Sequence, residues 1–462
     1  MTGPTIAIVG AGFSGTLLAL HVLRRCPPDV RVVLIERHLN FGRGQAYSTG
    51  NPSHLLNVTA GRMSAFHDRP HDFLDWLQSQ LPEAEDATFA PRQMFGDYVR
   101  SLLNEEIGRD GARLELVHGD VRRIEKAPDH LTLRMDRDRS LHADLLVLAV
   151  GNFPPEPPVV ADMTFYDGPL YRPDPWAAEA LEGLDPGAPV LLIGTGLTTV
   201  DAVISLLDRG HAGPIHALSR RGLLPRRHVR AAAVAMPEEP FPTEPLALLR
   251  FLRRRAAAAE AKGGGTWQQI MDELRPFTGD VWQAMSMLDR RRFLRHARPW
   301  WDVHRHRCAP EVADRIDDAR ARRQLRVRAG RLQRFEVRGD AVDAVFRVRG
   351  SDVLETITAE RVVNCSGPSC DYDRIGHPLI RALLADGFVR PDPLRLGLDV
   401  SGTCAVLGTD GAISPRIFAI GPVTRGAFWE MTAVPDIRRQ CEMLATHLAG
   451  RAGHVRQQRA VA

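Results

Sequence analysis

Three glycines near the start of the chain, Gly10, Gly12 and Gly15, stand in G-x-G-x-x-G spacing within TIAIVGAGFSG. That spacing suits a dinucleotide pyrophosphate. The first glycine permits a tight turn, the second a close backbone approach to phosphate, and the third close packing of helix on strand. Phe13 and Ser14 fall at the helix N-terminus, where unpaired N–H groups and the helix dipole favour an anion. The next apolar run, Val30–Ile35, ends in Glu36, where a carboxylate would hold a ribose 2′-hydroxyl. A second set of residues repeats this logic. Val190–Ile193 leads into Gly194, Thr195, Gly196 and Thr198, with Thr199 in place of a third glycine. The following strand, Ile215–Leu218, ends in Ser219-Arg220-Arg221 and not in an acid. A hydroxyl and two guanidiniums would hold a 2′-phosphate, which predicts NADPH over NADH. Two nicotinamides would have nothing to exchange, so the acidic first site is expected to hold FAD and the basic second site NADPH. The chemistry would be hydride transfer between them, with the protein supplying alignment.

The elements that must position these residues read as an α/β fold with two Rossmann-like (βαβ) dinucleotide-binding domains. Strands are expected at Thr5–Val9, Leu114–His118, Val121–Lys126, Leu131–Met135 and Leu145–Ala149, the last running into Gly151. The stretch from Arg37 to Phe66 is too long for a plain connection, and its Leu55, Leu56, Val58, Met63 and Phe66 suggest packing along a ligand. Helices are expected at Asp68–Leu77 and from Pro91 to about Ile107. Residues 1–153 form the first part of the FAD domain, 154–360 the NADPH domain, and 361–462 the C-terminal part of the FAD domain. The second domain carries a helical, arginine-rich insertion at about 226–322. Its helices are Glu244–Glu260, closed by Gly263–Gly265, then Trp267–Leu274, Val281–Arg298 and Pro310–Arg322. Trp267, Trp282, Trp300 and Trp301 are expected to build its core, and its arginines to line solvated helix faces, not a nucleic-acid site. Strands return at Leu325–Ala329, Leu332–Arg338, Ala341–Val348, Val362–Asn364 and Ile417–Ile420; a helix then runs to Leu448, followed by a frayed tail from Gly450.

Composition narrows the classes. The 462 residues are 44% hydrophobic and 25% charged, with a formal net charge of +4, ordinary for a globular chain with ample core. No apolar run reaches the roughly 18 residues of a membrane span, and the N-terminus lacks a signal-peptide pattern. Cytoplasmic localisation and no membrane partner are expected. The six cysteines are too scattered for a disulfide framework or a zinc site, so no metal is expected.

These motifs together make the chain resemble the two-dinucleotide-binding-domain flavoproteins. Within them it resembles the bacterial FAD-NAD(P)-binding proteins related to class B flavin monooxygenases and N-hydroxylases. The resemblance rests on GAGFSG at Gly10–Gly15, PRQMFGDY at Pro91–Tyr98, LLVLAVG at Leu145–Gly151 and GTGLTTVDA at Gly194–Ala202. SRRG at Ser219–Gly222, VVNCSG at Val362–Gly367 and FAIGPVTRG at Phe418–Gly426 extend it. It implies an FAD- and NADPH-dependent monooxygenase that oxygenates a small nucleophile, an amine or amino acid, with O₂ through a C4a-(hydro)peroxyflavin in a dry pocket. It implies further FAD contacts at Arg37, Asn57, Arg92, Val121, Gly151, Gly421, Pro422 and Thr432. Pro422 stands where disulfide-reductase relatives place an aspartate.

The class B pattern F-x-G-x-x-x-H-x-x-x-W falls on Tyr166, Gly168, Arg172 and Trp176; arginine replaces histidine and cannot give up a proton. Catalytic candidates are Asn57, Arg172 and Trp429, with Arg425 and Glu430 beside the last. His304–Arg307 suits a substrate carboxylate or, preferably, a satisfied structural cluster. An oxidase or dehydrogenase on the same fold is the main rival. A disulfide reductase using Cys365 and Cys370 is weaker, because Arg37–Asp68 holds no cysteine and Pro368 interrupts the pair. A non-enzymatic redox sensor is a further alternative, and the sequence leaves a homo-oligomer open.

Overall fold

The computed structural model describes residues 3–229, 239–261 and 266–461; Gly263–Gly265, expected to close a helix, lie outside them. The chain divides into two compact units. The first comprises Met1–Pro52, Val58–Phe153 and Cys370–Ala462, and the second Ser53–Asn57 and Pro154–Ser369.

In chain order the strands are β1 (Thr5–Val9), β2 (Arg31–Glu36), β3 (Leu114–His118), β4 (Val121–Lys126), β5 (Leu131–Met135), β6 (Ser140–Ala143), β7 (Leu145–Leu148) and β8 (Tyr171–Arg172). There follow β9 (Val190–Ile193), β10 (Ile215–Ser219), β11 (Leu325–Arg338), β12 (Ala341–Val348), β13 (Leu354–Ala359), β14 (Arg361–Asn364), β15 (Ala405–Leu407) and β16 (Ile413–Ala419).

In the first unit a sheet of order β15-β16-β7-β1-β2-β3 is parallel except for β15, and β4-β5-β6 form a small antiparallel sheet. Its central strands are apolar throughout: Ile6, Ala7, Ile8, Leu145, Leu146, Val147 and Leu148 are fully buried. Continuous burial of this kind is what a parallel sheet covered on both faces requires. The helix Phe13–Arg25 returns the chain from β1 to its neighbour β2, while β7 and β16 lie on the other side of β1. The strand order therefore reverses at the carboxyl end of β1, the place where open α/β sheets bind ligands.

The second unit repeats the device. Its sheet runs β13-β12-β11-β10-β9-β14-β8. The helix Leu197–Asp208 connects β9 to β10, and β14 lies on the other side of β9. The reversal falls at Gly194.

Several expectations shift. β14 pairs with β9 and β8, so the second unit extends to Ser369 and not to 360. β6 and β13 are short strands between polar turns that periodicity passed over. β11 is one strand across 325–338, bent at an irregularity between Leu332 and Arg334. The expected helix Val281–Arg298 breaks at Met285, which is extended at ψ 138°. Ser286 restarts it as an N-cap, its hydroxyl accepting the Asp289 N–H at 3.1 Å.

The tail is not frayed: one helix runs Val434–Val461. Ala452 and Val455 are buried, Arg451 donates to the Pro415 carbonyl at 2.9 Å, and Arg459 pairs with buried Asp144 at 2.8 Å. None of the described helices is long and apolar enough to cross a membrane.

Candidate dinucleotide sites

The two glycine turns are built alike, bond for bond. Gly10 N–H donates to the Ile35 carbonyl on β2, and Gly194 N–H to the Leu218 carbonyl on β10, each at 2.8 Å. Both glycines have positive φ, 105° and 125°. A Cβ on Gly10 would lie 2.2 Å from the Ala149 carbonyl oxygen beyond β7, and one on Gly194 would lie 2.3 Å from that of Cys365 beyond β14. The first glycine of each turn therefore serves the fold, letting the turn lie against the strand across the switch point.

Each turn then opens a helix whose N-cap is a glycine. Gly12 and Gly196 are extended, supply no side-chain cap, and precede a first turn without an acid. The orphan N–H groups of both helices are left for an external anion. At the third position Gly15 is indispensable: its Cβ would lie 1.9 Å from the Gly10 carbonyl oxygen. In the second unit Thr199 is accommodated there fully buried.

The strand ends differ, as the sequence predicted. Glu36 is fixed by the turn itself, one carboxylate oxygen accepting the Ala11 N–H at 2.8 Å and the other the His38 N–H at 3.1 Å. Each oxygen keeps a further lone pair for a ribose hydroxyl. In the second unit the Ser219 hydroxyl lies 2.8 Å from the Thr195 hydroxyl and accepts the Gly222 N–H at 3.0 Å. Arg220 is exposed and Arg221 half-buried, and neither has an ion-pair partner among the described residues. Two guanidiniums without an ion-pair partner among the described residues thus follow a serine held by the turn.

The long stretch after β2 folds over the first turn. Gly42 N–H donates to the Ala11 carbonyl at 2.8 Å, and a Cβ on Gly12 would stand 3.3 Å from Gly44 Cα. A side chain at the second glycine would thus press on this loop as well. Tyr47 packs edge-on with Phe13 and with Phe95 of the helix Arg92–Asp110, and Arg43 pairs with Asp97 of the same helix. A Cβ on Gly96 would meet the Tyr47 carbonyl at 2.6 Å. The Pro91–Tyr98 motif therefore receives the loop, a role its spacing did not reveal. Arg92 opens that helix, where the dipole disfavours a cation unless an anion is nearby.

The remaining first-unit candidates are dispersed in character. Arg37 is exposed, Val121 is buried at the head of β4, and Gly151 has φ 67° with open space where a Cβ would be. Gly421 has φ 78°, donates to the Gln440 side chain at 2.9 Å, and a Cβ there would strike the Ser14 hydroxyl at 2.6 Å. Pro422 is half-buried and Thr432 exposed.

The three catalytic candidates separate. Asn57 belongs to the second unit, its backbone carbonyl accepting from His228 at 2.9 Å, and its side-chain amide has no partner among the described residues. Arg172 is a clamp: it donates to the carbonyls of Glu179, Tyr171 and Pro169. Through these bonds the motif arginine holds its own loop together. Trp429 is 2% exposed under the Arg425 guanidinium. Its φ of 57° and ψ of −69°, with Glu430 N–H donating to the Phe428 carbonyl at 2.8 Å, define a positive-φ γ-turn. Such turns are strained and cluster at functional sites; no sequence signal marks one.

Two other clusters resolve as structural. Arg307, 2% exposed, donates to Gln268 at 2.7 Å and pairs with Asp272. Cys365 is buried, its thiol pushed up by desolvation and by Asp201, and neither it nor Cys370 is in a disulfide. Among the described residues no group of His, Cys, Asp and Glu could hold a metal.

Residues 7–153 match the family described as FAD-NAD(P)-binding. No curated protein sequence matches the chain. Among solved structures, the FAD-bound cadaverine monooxygenase of the desferrioxamine pathway from Erwinia amylovora superposes with a TM-score of 0.67 at 12% identity, over 97% of this chain and 95% of its own. The ornithine N-hydroxylase of Kutzneria sp. 744, with reduced FAD, NADP⁺ and L-ornithine, gives 0.64 at 15%, over 98% and 100%. Thioredoxin reductase of T. acidophilum gives 0.52 at 13%, over 96% and 97%. The fold is that of the flavoproteins with two dinucleotide-binding domains. It superposes better on the cadaverine monooxygenase and the ornithine N-hydroxylase than on the thioredoxin reductase.

Proposed function

We propose that the protein is an FAD- and NADPH-dependent monooxygenase that oxygenates a small nucleophilic substrate, an amine or an amino acid. One observation carries this reading: two switch-point cradles of the same construction end in opposite chemistry, the Glu36 carboxylate in one and Ser219-Arg220-Arg221 in the other. When bound, FAD supplies a hydride acceptor and an oxygen-activating centre. The chain supplies position and charge. The Phe13 helix N-terminus and Arg92 would hold the FAD pyrophosphate, and Glu36 its ribose hydroxyls. The Leu197 helix N-terminus would hold the NADPH pyrophosphate, and Ser219, Arg220 and Arg221 its 2′-phosphate. The unpartnered Asn57 amide is the proposed hydrogen-bonding group for cofactor or substrate. Trp429, a buried ring under the Arg425 guanidinium, is proposed to shape the pocket near the flavin. The substrate class follows the N-hydroxylating enzymes that share the fold.

The purified protein should be yellow and oxidise NADPH in preference to NADH, with turnover stimulated by members of a panel of amines and amino acids. Hydroxylated product should form in step with NADPH consumed. Rapid hydrogen peroxide release with every compound tested would favour the oxidase. Loss of NADPH turnover in a Cys365→Ser/Cys370→Ser variant would instead favour the disulfide reductase.

A further inference from the structure

The helical insertion exposes apolar side chains next to arginines. Leu246 and Leu249 are 49% and 42% exposed, and Met287 and Leu288 39% and 56%. They sit on two helices that pack together, Pro245–Ala261 and Met287–Arg292. On the first, Leu248 and Phe251 turn inward, while Leu246, Leu249, Arg250, Arg253 and Ala257 recur at helical spacing on the exposed side. On the second, Met287 and Leu288 are followed by exposed Arg291, and exposed Arg295 lies in the turn Phe293–Ala297 that continues it. Arg250, Arg253, Arg291 and Arg295 have no ion-pair partner among the described residues. Trp300, expected in the core, is 43% exposed in the same insertion.

We infer that this face docks the enzyme on the surface of an anionic lipid bilayer. Exposed leucine and methionine flanked by uncompensated arginine fit the boundary between acyl chains and negative headgroups. A second copy would set arginine against arginine, and like charges oppose that pairing. Nucleic acid would use the arginines but leave the four aliphatic chains in water. The absence of a spanning segment is no objection, because an interfacial face needs none.

The test is flotation of the full-length purified protein with vesicles of phosphatidylcholine alone or mixed with phosphatidylglycerol. Binding to the mixed vesicles only, weakened by salt, is expected. Arg250→Glu/Arg253→Glu should lower the partition coefficient about tenfold or more, as should Leu246→Ser/Leu249→Ser, with flavin absorbance and thermal midpoint unchanged. Arg250→Lys/Arg253→Lys should restore most of it. Failure to bind the anionic vesicles overturns the inference. So does binding unaffected by these substitutions, a dimer in solution that the leucine variant dissociates, or association abolished by nuclease.

Discussion

The glycines of the first turn make separable predictions, and Gly12 is the most informative. Its backbone is ordinary, φ −72° and ψ −167°, so a side chain brings no conformational strain. The first atom added would meet only the Gly44 backbone, with Cα at 3.3 Å, a contact relieved by a few tenths of an ångström. Gly12→Val adds two further methyls against the Gly42–Tyr47 segment that covers the turn. Overpacking of this kind costs about 1–3 kcal/mol. The fold can escape the cost by letting the loop lift away, so the penalty falls on the cofactor. FAD affinity should drop about 5- to 150-fold, and the protein should purify nearly colourless with its secondary structure intact. Gly15→Val contrasts: a Cβ 1.9 Å from the Gly10 carbonyl oxygen cannot be relieved by a loop, and the protein should fail to fold. Flavin content from the absorbance ratio, FAD titration of the apoprotein and far-UV circular dichroism read both variants. A Gly12→Val protein with full flavin, or one as unfolded as Gly15→Val, would refute the reasoning.

Arg220→Ala should raise the KM for NADPH about tenfold or more, from loss of one charge-assisted phosphate contact, while NADH kinetics and the flavin spectrum stay unchanged. His21 is 2% exposed, and burial together with Arg25 and Arg24 lowers its pKa from 6.5 to about 4. The unfolded chain takes up a proton near pH 6.5 that the folded chain refuses, so stability present above pH 6.5 is lost as pH falls toward 4. The effect is worth about 3 kcal/mol; urea unfolding at pH 7.5 and 4.5 should show a smaller pH dependence in His21→Phe than in wild type. Arg459→Ala should lower unfolding free energy by about 1 kcal/mol, because buried Asp144 keeps the Thr5 N–H but loses its cation.

Much of the fold was legible before any coordinates. β1, β3, β4, β5, β9 and β12 fall where the sequence placed them: β1 and β9 are buried parallel strands written as continuous apolar runs ending in glycine, and β4, β5 and β12 are antiparallel strands bounded by polar turns. The expected cradles were legible for the same reason, since Gly10 and Gly194 adopt a φ that few other residues tolerate. What escaped was set by partners distant in sequence. The tail looked polar and frayed, yet Asp144 and Pro415 hold it as helix. Arg172 matched a catalytic motif by spacing, but carbonyls of its own loop occupy the guanidinium. Residue type places Trp300 in the core, but its 43% exposure depends on which helix face the insertion leaves uncovered. The sequence by itself determined the two glycine turns and the sign of charge after each, because backbone conformation and charge are local properties. Only the tertiary structure decided which polar side chains are already satisfied, because that depends on what else is packed within hydrogen-bond reach.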